Sequence, residues 1–363
     1  TCALPIFTAD AADVADVSAV YAAAALKQIS GLGNEIISIT GVAISAANAN
    51  ILAGLTSGKV VATVTSDSAA ALLVALAKAD AKDELTLTVT GASDAKDLLA
   101  LDAKTALAIT LPAAAVISGT AAEIKKVYAS SGITTANNEV ITVTDPASAA
   151  DVNAIAKLSG AVTATIKDGS VAATLKTLKD VVAGDTITFK TTDKTVKASD
   201  LVALNSKIAN GTYTSIETIT ADAKDVSYVS AALAVANNAA VTITGTITAT
   251  QANTIAADPN AGNLTATVEA DTAANLAAKL TGMALTDKLT LTVNGESAKA
   301  SDLNVLDGKT SGDVKVGTGV VISGNIADLT KVFATGSGIT TNDNAVTISG
   351  TVSAKDAKIG RAH

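Results

Sequence analysis

The chain has 363 residues, a formal net charge of −8, 48% hydrophobic residues but only 2% aromatic ones, and no tryptophan. Its one cysteine is Cys2, its one histidine is His363, and Arg361 is its one arginine. Residues 7–358 therefore offer no Ser-His-Asp or Cys-His triad and no zinc site built on histidine or cysteine. The acidic balance without arginine in this range also argues against binding to nucleic acid.

Both ends of the chain differ in composition from the rest. Cys2–Ile6 and Ile359–His363 can be encoded by one DNA string, TGTGCTCTTCCGAT, read in opposite directions. That string resembles a sequencing-library adapter, and chance codon degeneracy is the alternative explanation. We expect residues 1–6 and 359–363 to be translated adapter around an open fragment of a longer protein, and we exclude them from fold reasoning.

Residues 7–358 are predicted to form one continuous array of tandem repeats. The triplet Ala62–Val64 returns as Ala164–Ile166 and as Ala266–Val268, in steps of about 102 residues. Because an array grows by adding repeats, no domain boundary is predicted within it. The superrepeats are predicted to be residues 10–116, 117–218, 219–321 and, in part, 322–358.

Each superrepeat is predicted to hold four coils of roughly 21 to 29 residues, and each coil is a strand followed by a short helix. Apolar residues alternate with polar ones in the strands and recur at helical spacing in the helices. In the second superrepeat the predicted strands lie near residues 116–117, 140–144, 162–166, 186–190 and 215–219. The predicted helices there are residues 121–128, 149–158, 171–178 and 198–208.

The same unit is visible later in the chain. Leu289–Val293 alternates as a strand, and Asn294 with Gly295 turns the chain. Ser297 is expected to cap the helix that follows.

Two further sets of residues recur once in most superrepeats. Asp97, Asp200 and Asp302 stand at helix starts and are predicted to cap helices, because a catalytic carboxylate pair would occur once in the chain. An aromatic side chain at one equivalent position is predicted to fill the core. These aromatic residues are Tyr21, Tyr128 and Phe333.

Coils of this length bury their apolar faces only by stacking on one another. Strands separated by a helix run parallel through right-handed crossovers. The predicted fold is therefore an α/β solenoid of short strand-helix coils with one parallel sheet backed by helices, similar in architecture to leucine-rich repeats. A right-handed β-helix-like solenoid is the alternative.

Thr-x-Thr pairs recur on the predicted strands and would form ranks of hydroxyl and methyl groups about 4.8 Å apart. Ice-binding solenoids use flat arrays of this type, so a module that binds ice, a mineral or a carbohydrate through this face is the alternative function. The alternative is that threonine is simply a favoured polar residue on the solvent face of a strand. The candidate residues are Thr142, Thr144, Thr163, Thr165, Thr186, Thr188, Thr242, Thr244, Thr265, Thr267, Thr290 and Thr292.

Three segments carry a family resemblance: Ile219–Ala223, Val241–Ala249 and Ser301–Thr310. They resemble the Ala/Thr-rich tandem repeats of very large cell-surface and S-layer-like proteins of marine bacteria, especially cyanobacteria. The resemblance covers essentially all of residues 7–358. It implies an extracellular or cell-surface location and a structural or adhesive role. The glycine-rich calcium-binding nonapeptides of such proteins do not occur in this sequence.

The sequence predicts a non-catalytic protein without a cofactor. Calcium stays open, because Thr341–Asn344 and Asp258–Asn260 offer oxygen ligands on loops but lack EF-hand spacing. No partner is identified by the sequence, and the ones we expect are neighbouring copies, cell-envelope glycans or other surfaces. No apolar stretch is long enough to span a membrane in this fragment.

Overall fold

The computed structural model describes residues 6–351. These form two compact units. The first comprises residues up to 167 together with 176–189 and 207–210, and the second comprises 168–175, 190–206 and the residues from 211 onward. Residues 1–5 and 359–363 of the predicted adapter lie outside the described range, whereas Ile6 is the first residue of a strand.

One or two short strands precede each helix along most of the described range. The strands are β1 (Ile6–Asp10), β2 (Ile36–Thr40), β3 (Val60–Thr63), β4 (Glu84–Thr86), β5 (Ser93–Asp94), β6 (Ile109–Thr110), β7 (Val116–Gly119), β8 (Ile133–Thr134), β9 (Val140–Val143), β10 (Val162–Thr165), β11 (Thr186–Lys190), β12 (Thr195–Lys197), β13 (Asn210–Thr212), β14 (Thr218–Asp222), β15 (Ala239–Ile247), β16 (Ala261–Val268), β17 (Lys288–Val293), β18 (Ser297–Lys299), β19 (Val314–Val316), β20 (Val321–Gly324), β21 (Ile339–Thr340) and β22 (Val346–Ile348).

The helices are short. They are α1 (Val14–Ala25), α2 (Ala46–Ala53), α3 (Ala69–Ala75), α4 (Ala95–Asp102), α5 (Ala121–Ala129), α6 (Ala149–Ala156), α7 (Val171–Thr177), α8 (Ala198–Asn205), α9 (Val229–Leu233), α10 (Ala249–Ala256), α11 (Ala273–Lys279), α12 (Ala300–Asp307) and α13 (Ile326–Val332), with 3₁₀ turns at Ala11–Asp13 and Ala223–Tyr228.

Local sequence explains where many of these helices begin. A serine or threonine at the N-cap accepts a hydrogen bond from the backbone N–H three residues later, which satisfies an otherwise unpaired donor of the first turn. In α5 and α10 the third helical residue, Glu123 or Gln251, also accepts a hydrogen bond from the N-cap backbone N–H, and the two bonds together form a capping box. The serine and threonine caps are Ser45, Ser68, Thr120, Ser148, Thr248 and Thr272.

In the first unit all pairings are parallel. One sheet has the order β1-β2-β3-β4, another contains β5, β7, β9, β10 and β11 as successive neighbours, and β6 pairs with β8. Each strand pairs with the corresponding strand of the next coil, as Ile37 does with Val60 and Ile117 with Ile141.

The second unit repeats this arrangement. The order β12-β14-β15-β16-β17-β19-β21 forms one parallel sheet, and β18-β20-β22 forms another. In both units the inward residues of the strands pack against the inward residues of the helices. Leu85 and Leu87 on the strand side and Leu98 and Leu101 on α4 are all 0% exposed.

The predicted α/β class, the parallel pairing and the helical backing are confirmed. In the second superrepeat β11 occupies the predicted residues 186–190, and α5, α6 and α7 begin at the predicted residues. The predicted single sheet does not form. A turn divides many coils into two strand segments, and the two segments join different sheets. Gly295 makes such a turn between β17 and β18 with a φ of +99°, a conformation that favours glycine.

The predicted helix caps are wrong. Ser297 opens β18, and Lys299, without a side-chain cap, stands at the N-cap of α12. Asp97, Asp200 and Asp302 each lie inside the first turn of their helix and not at its N-cap. A carboxylate in the first turn still favours the helix through the macrodipole, which explains why the residue recurs there.

Candidate functional sites

Three buried aspartates recur in steps of about 102 residues: Asp83, Asp185 and Asp287. One carboxylate oxygen of each accepts a hydrogen bond at 2.8 Å from a backbone N–H of the preceding coil. The other oxygen accepts one at 2.9 to 3.0 Å from the N–H three residues earlier, in its own turn. The donors in the preceding coil are Val60, Val162 and Leu264, and those in the turn are Asp80, Val182 and Ala284.

These contacts, which we call the aspartate clamps, join each coil to the one before it. A buried carboxylate without partners would be costly, whereas one that accepts two backbone hydrogen bonds stabilises the turn and satisfies two donors. The clamp therefore explains why a charged residue occupies the core at this position. Its energetic role is to make the stability of one coil depend on its neighbour.

A second recurrent contact uses asparagine side chains on helices. Asn50, Asn153 and Asn253 each accept a hydrogen bond, at 2.6 to 2.8 Å, from a backbone N–H of the following coil. The donors are Lys78, Asp180 and Gly282. The asparagine contacts and the aspartate clamps thus link coils in both directions along the chain.

Two tyrosine-glutamate pairs are the third recurrent feature. The Tyr21 hydroxyl donates to Glu35 Oε2 at 2.7 Å, and the Tyr128 hydroxyl donates to Glu139 Oε2 at 2.9 Å. Burial, together with the hydrogen bond to the glutamate, raises the pKa of each tyrosine well above its ordinary value. Both glutamates are buried.

The repeats change both members of this pair together. At the equivalent positions the fourth superrepeat has Phe333 with Asn344. Asn344 instead donates to the carbonyls of Gly317 and Val320 at 2.9 Å. The glutamate occurs only where a tyrosine hydroxyl is present to bind it, which is expected if the pair serves the fold.

We expect Tyr21→Phe to lower the free energy of unfolding by about 1.5–3 kcal/mol, because it removes a hydrogen bond to a buried carboxylate. The matched control is Tyr213→Phe. The Tyr213 hydroxyl is buried and has no partner among the described residues, and burial raises its pKa to about 12. Its removal is expected to be neutral or stabilising. Urea unfolding of both variants checks this, and equal losses would contradict it.

Several carboxylates have pKa values below their ordinary range. The hydrogen bonds from Lys125 and Ser148 lower the pKa of Asp151, and those from Asn275 and Lys279 lower that of Asp271. Burial raises the pKa of Glu35, but hydrogen bonds to its carboxylate outweigh burial and the net shift is downward. Asp83 shows the opposite shift, because burial raises its pKa.

We therefore expect the protein to lose stability in acid. A carboxylate whose folded-state pKa is lowered stabilises the fold above its unfolded pKa, near 3.8 for aspartate and 4.5 for glutamate, and this stability is lost as the pH falls through the folded value. Asp83 has the opposite effect, because the stability that it provides is lost as the pH rises through its raised pKa. The carboxylates with lowered pKa values, Asp151, Asp271 and Glu35, outnumber it. The urea midpoint should be lower at pH 3 than at pH 7, and Asp151→Asn should reduce that difference. A pH-independent midpoint would contradict the assignment.

The twelve candidate threonines, which we call the threonine face, all lie on the outward side of the strands or directly after them. None is buried, and each follows or precedes a buried neighbour. In the first unit Thr163 pairs with Thr142 on one side and Thr186 on the other, and Thr165 pairs with Thr188. The hydroxyl-bearing side chains there form ranks across three neighbouring strands.

The ranks are less regular in the second unit. Thr242 pairs with Thr265, but the next pair is Thr246 with Thr267, so β15 bulges between them. Thr244 faces Asp222 on β14 and has no counterpart on β16. A bulge of this kind bends a strand and increases its twist, which interrupts a flat two-dimensional lattice.

The second unit also has a cleft of about 230 Å³ whose polar lining includes Asp193, Lys197 and Asp200. The Asp193 carboxylate accepts a hydrogen bond from the Val171 N–H at 2.8 Å, so it already serves the fold. The cleft is smaller than the pockets of about 300–1,000 Å³ that enclose organic ligands.

The two loops considered for calcium use their oxygen atoms within the protein. Asp258 accepts hydrogen bonds from Ser230 at 2.7 Å and from the Asn260 N–H at 3.0 Å. In the other loop Asn344 Oδ1 accepts a hydrogen bond from the Asn342 N–H at 2.8 Å. Residues 6–351 contain no cluster of three or more His, Cys, Asp or Glu side chains arranged to hold a metal ion. They also contain no helix with the length and apolar character needed to cross a bilayer.

Comparison with protein-family models, with curated proteins and with solved structures finds no match to this chain. Sequence analysis assigns no role to Asp83, Asp185 or Asp287. Their position at the period of the array was the signal that could have identified the clamp.

Proposed function

We propose that this chain is a structural or adhesive repeat region of a large secreted or cell-surface protein, folded as a solenoid of strand-helix coils. The observation that carries the proposal is the recurrence of the aspartate clamps at the superrepeat period. Polar residues that recur in this way and join neighbouring coils support a structural role for each repeat. A right-handed β-helix-like solenoid is the architectural alternative.

The mechanism is mechanical. Each coil adds length through the same parallel pairing and the same clamps, so the array extends without new chemistry. The acidic, threonine-rich surface keeps such an array hydrated and disfavours non-specific association. The partners we propose are neighbouring copies of the protein, cell-envelope glycans or other surfaces, and we propose no cofactor.

Two experiments test the location and the role. Recovery of the unbroken gene from the source DNA should reveal further repeats with a secretion signal or an anchoring domain. Antibodies raised against residues 7–351 should label intact cells of the source organism as strongly as permeabilised ones. Labelling that requires permeabilisation would contradict a surface location, and a short gene without further repeats would contradict the array.

Binding of ice, a mineral or a carbohydrate by the threonine face is a second candidate function. The register of Thr142, Thr163 and Thr186 across three strands favours it. The double variant Thr163→Lys with Thr165→Lys would place bulky charges on the ranks, and Thr254→Lys on the exposed side of α10 is the control. Thermal hysteresis and co-sedimentation with mineral particles or insoluble polysaccharide would be lost only in the double variant. Absence of all three activities in the parent protein would exclude this candidate.

A further inference from the structure

The turn between β17 and β18 contains an asparagine followed by glycine. Asn294 and Gly295 are both exposed. The Asn294 backbone N–H donates to the Asp271 carbonyl at 3.0 Å. Its side-chain amide and the Gly295 N–H form no hydrogen bond within residues 6–351. Gly295 has a φ of +99° and no side chain to shield its nitrogen.

We propose that Asn294 is a site of spontaneous deamidation in the folded protein. The backbone nitrogen of Gly295 attacks Cγ of Asn294, an N–Cγ bond forms, and the amide nitrogen leaves as ammonia together with the proton from the Gly295 nitrogen. Water then opens the resulting succinimide. Cleavage of the N–Cγ bond yields aspartate, and cleavage at the former backbone carbonyl yields isoaspartate. No atom is oxidised or reduced, and water is the only co-reactant.

The fold distinguishes Asn294 from other asparagines that precede a glycine or are exposed. Asn210 also precedes a glycine, but Gly211 lies within β13 against the Tyr213 ring, so close that a Cβ on Gly211 would collide with it. Asn263 is exposed, but its neighbour Leu264 is branched and the Leu264 N–H is held by Asp287 at 2.8 Å. Of these three, only Asn294 combines an exposed amide with an unshielded and unpaired nitrogen.

The repeats supply a matched variant. At the equivalent turns of two earlier superrepeats Thr90 and Thr192 stand where Asn294 does. Asn294→Thr therefore introduces a residue that sibling turns already accept. The isoaspartate form would lengthen the main chain between β17 and β18 and weaken the link to Asp271, and either product would add a negative charge.

The experiment is a time course of the whole protein at mildly alkaline pH, followed by peptide mapping with separation of aspartate and isoaspartate. Folded protein should deamidate at Asn294 before Asn210 and Asn263, and in concentrated urea Asn294 and Asn210 should react at similar rates. Asn294→Thr should lack the early products. The proposal is overturned if Asn210 reacts as fast as Asn294 in the folded protein, or if Asn294 is no faster than Asn263.

Discussion

Asp287→Ala is expected to lower the free energy of unfolding of the second unit by about 3 kcal/mol. The change removes both acceptors of an aspartate clamp, so the buried N–H of Leu264 loses its partner and the N–H of Ala284, in an exposed turn, loses its hydrogen bond. Each hydrogen bond to a charged group contributes about 1.5–3 kcal/mol, and an orphaned buried donor costs about as much as the bond it loses. Asp287→Asn retains one acceptor oxygen, so its free energy of unfolding should lie between those of the parent protein and Asp287→Ala.

Hydrogen exchange is the measurement, because it reports local opening in each of the two compact units separately. Protection of the Leu264 and Ala284 amides should fall first. Asp185→Ala should have the same effect on Val162 and Val182 in the first unit and leave Leu264 protected. The control is Asp313→Ala at an exposed position, which should change stability by less than about 0.5 kcal/mol. Similar losses for Asp313→Ala and Asp287→Ala would refute the clamp.

The elements that sequence analysis predicted well are those whose signal is local. The alternation that predicted β11 depends only on residues 186–190, because burial of one strand face needs no knowledge of its partner. The helix starts at Ala121 and Ala149 were predictable because a threonine or a serine precedes each of them. Repetition then carried each local prediction to the equivalent coils.

The elements that it missed depend on contacts between coils. Asp185 is charged and would be placed on the surface by composition alone, yet it is buried because its partner is the Val162 N–H in another coil. Strand β12 has three residues, and only Val196, between exposed Thr195 and Lys197, is buried. This segment is a strand because it pairs with β14. The bulge at Thr244 was equally hidden, because sequence period does not reveal the register of two strands.

Phe189→Ala is expected to cost about 3–5 kcal/mol, the range for truncating a large buried aromatic side chain. Phe189 is 0% exposed and is the largest of the fully buried side chains. At the equivalent positions of other superrepeats the chain has Leu87 and Leu291, both also 0% exposed. The same place in the coil therefore accepts two different apolar shapes.

Phe189→Leu should consequently cost less than about 1.5 kcal/mol, because it substitutes one large apolar side chain for another that the repeat already accommodates. Urea unfolding followed by circular dichroism, with hydrogen exchange at residues 186–189, compares the two variants. A large difference between them indicates that the coils are interchangeable packing units, which is what an extensible array requires. If leucine is as damaging as alanine, the coils around Phe189 have packing of their own, and stability does not follow from nearest-neighbour repetition.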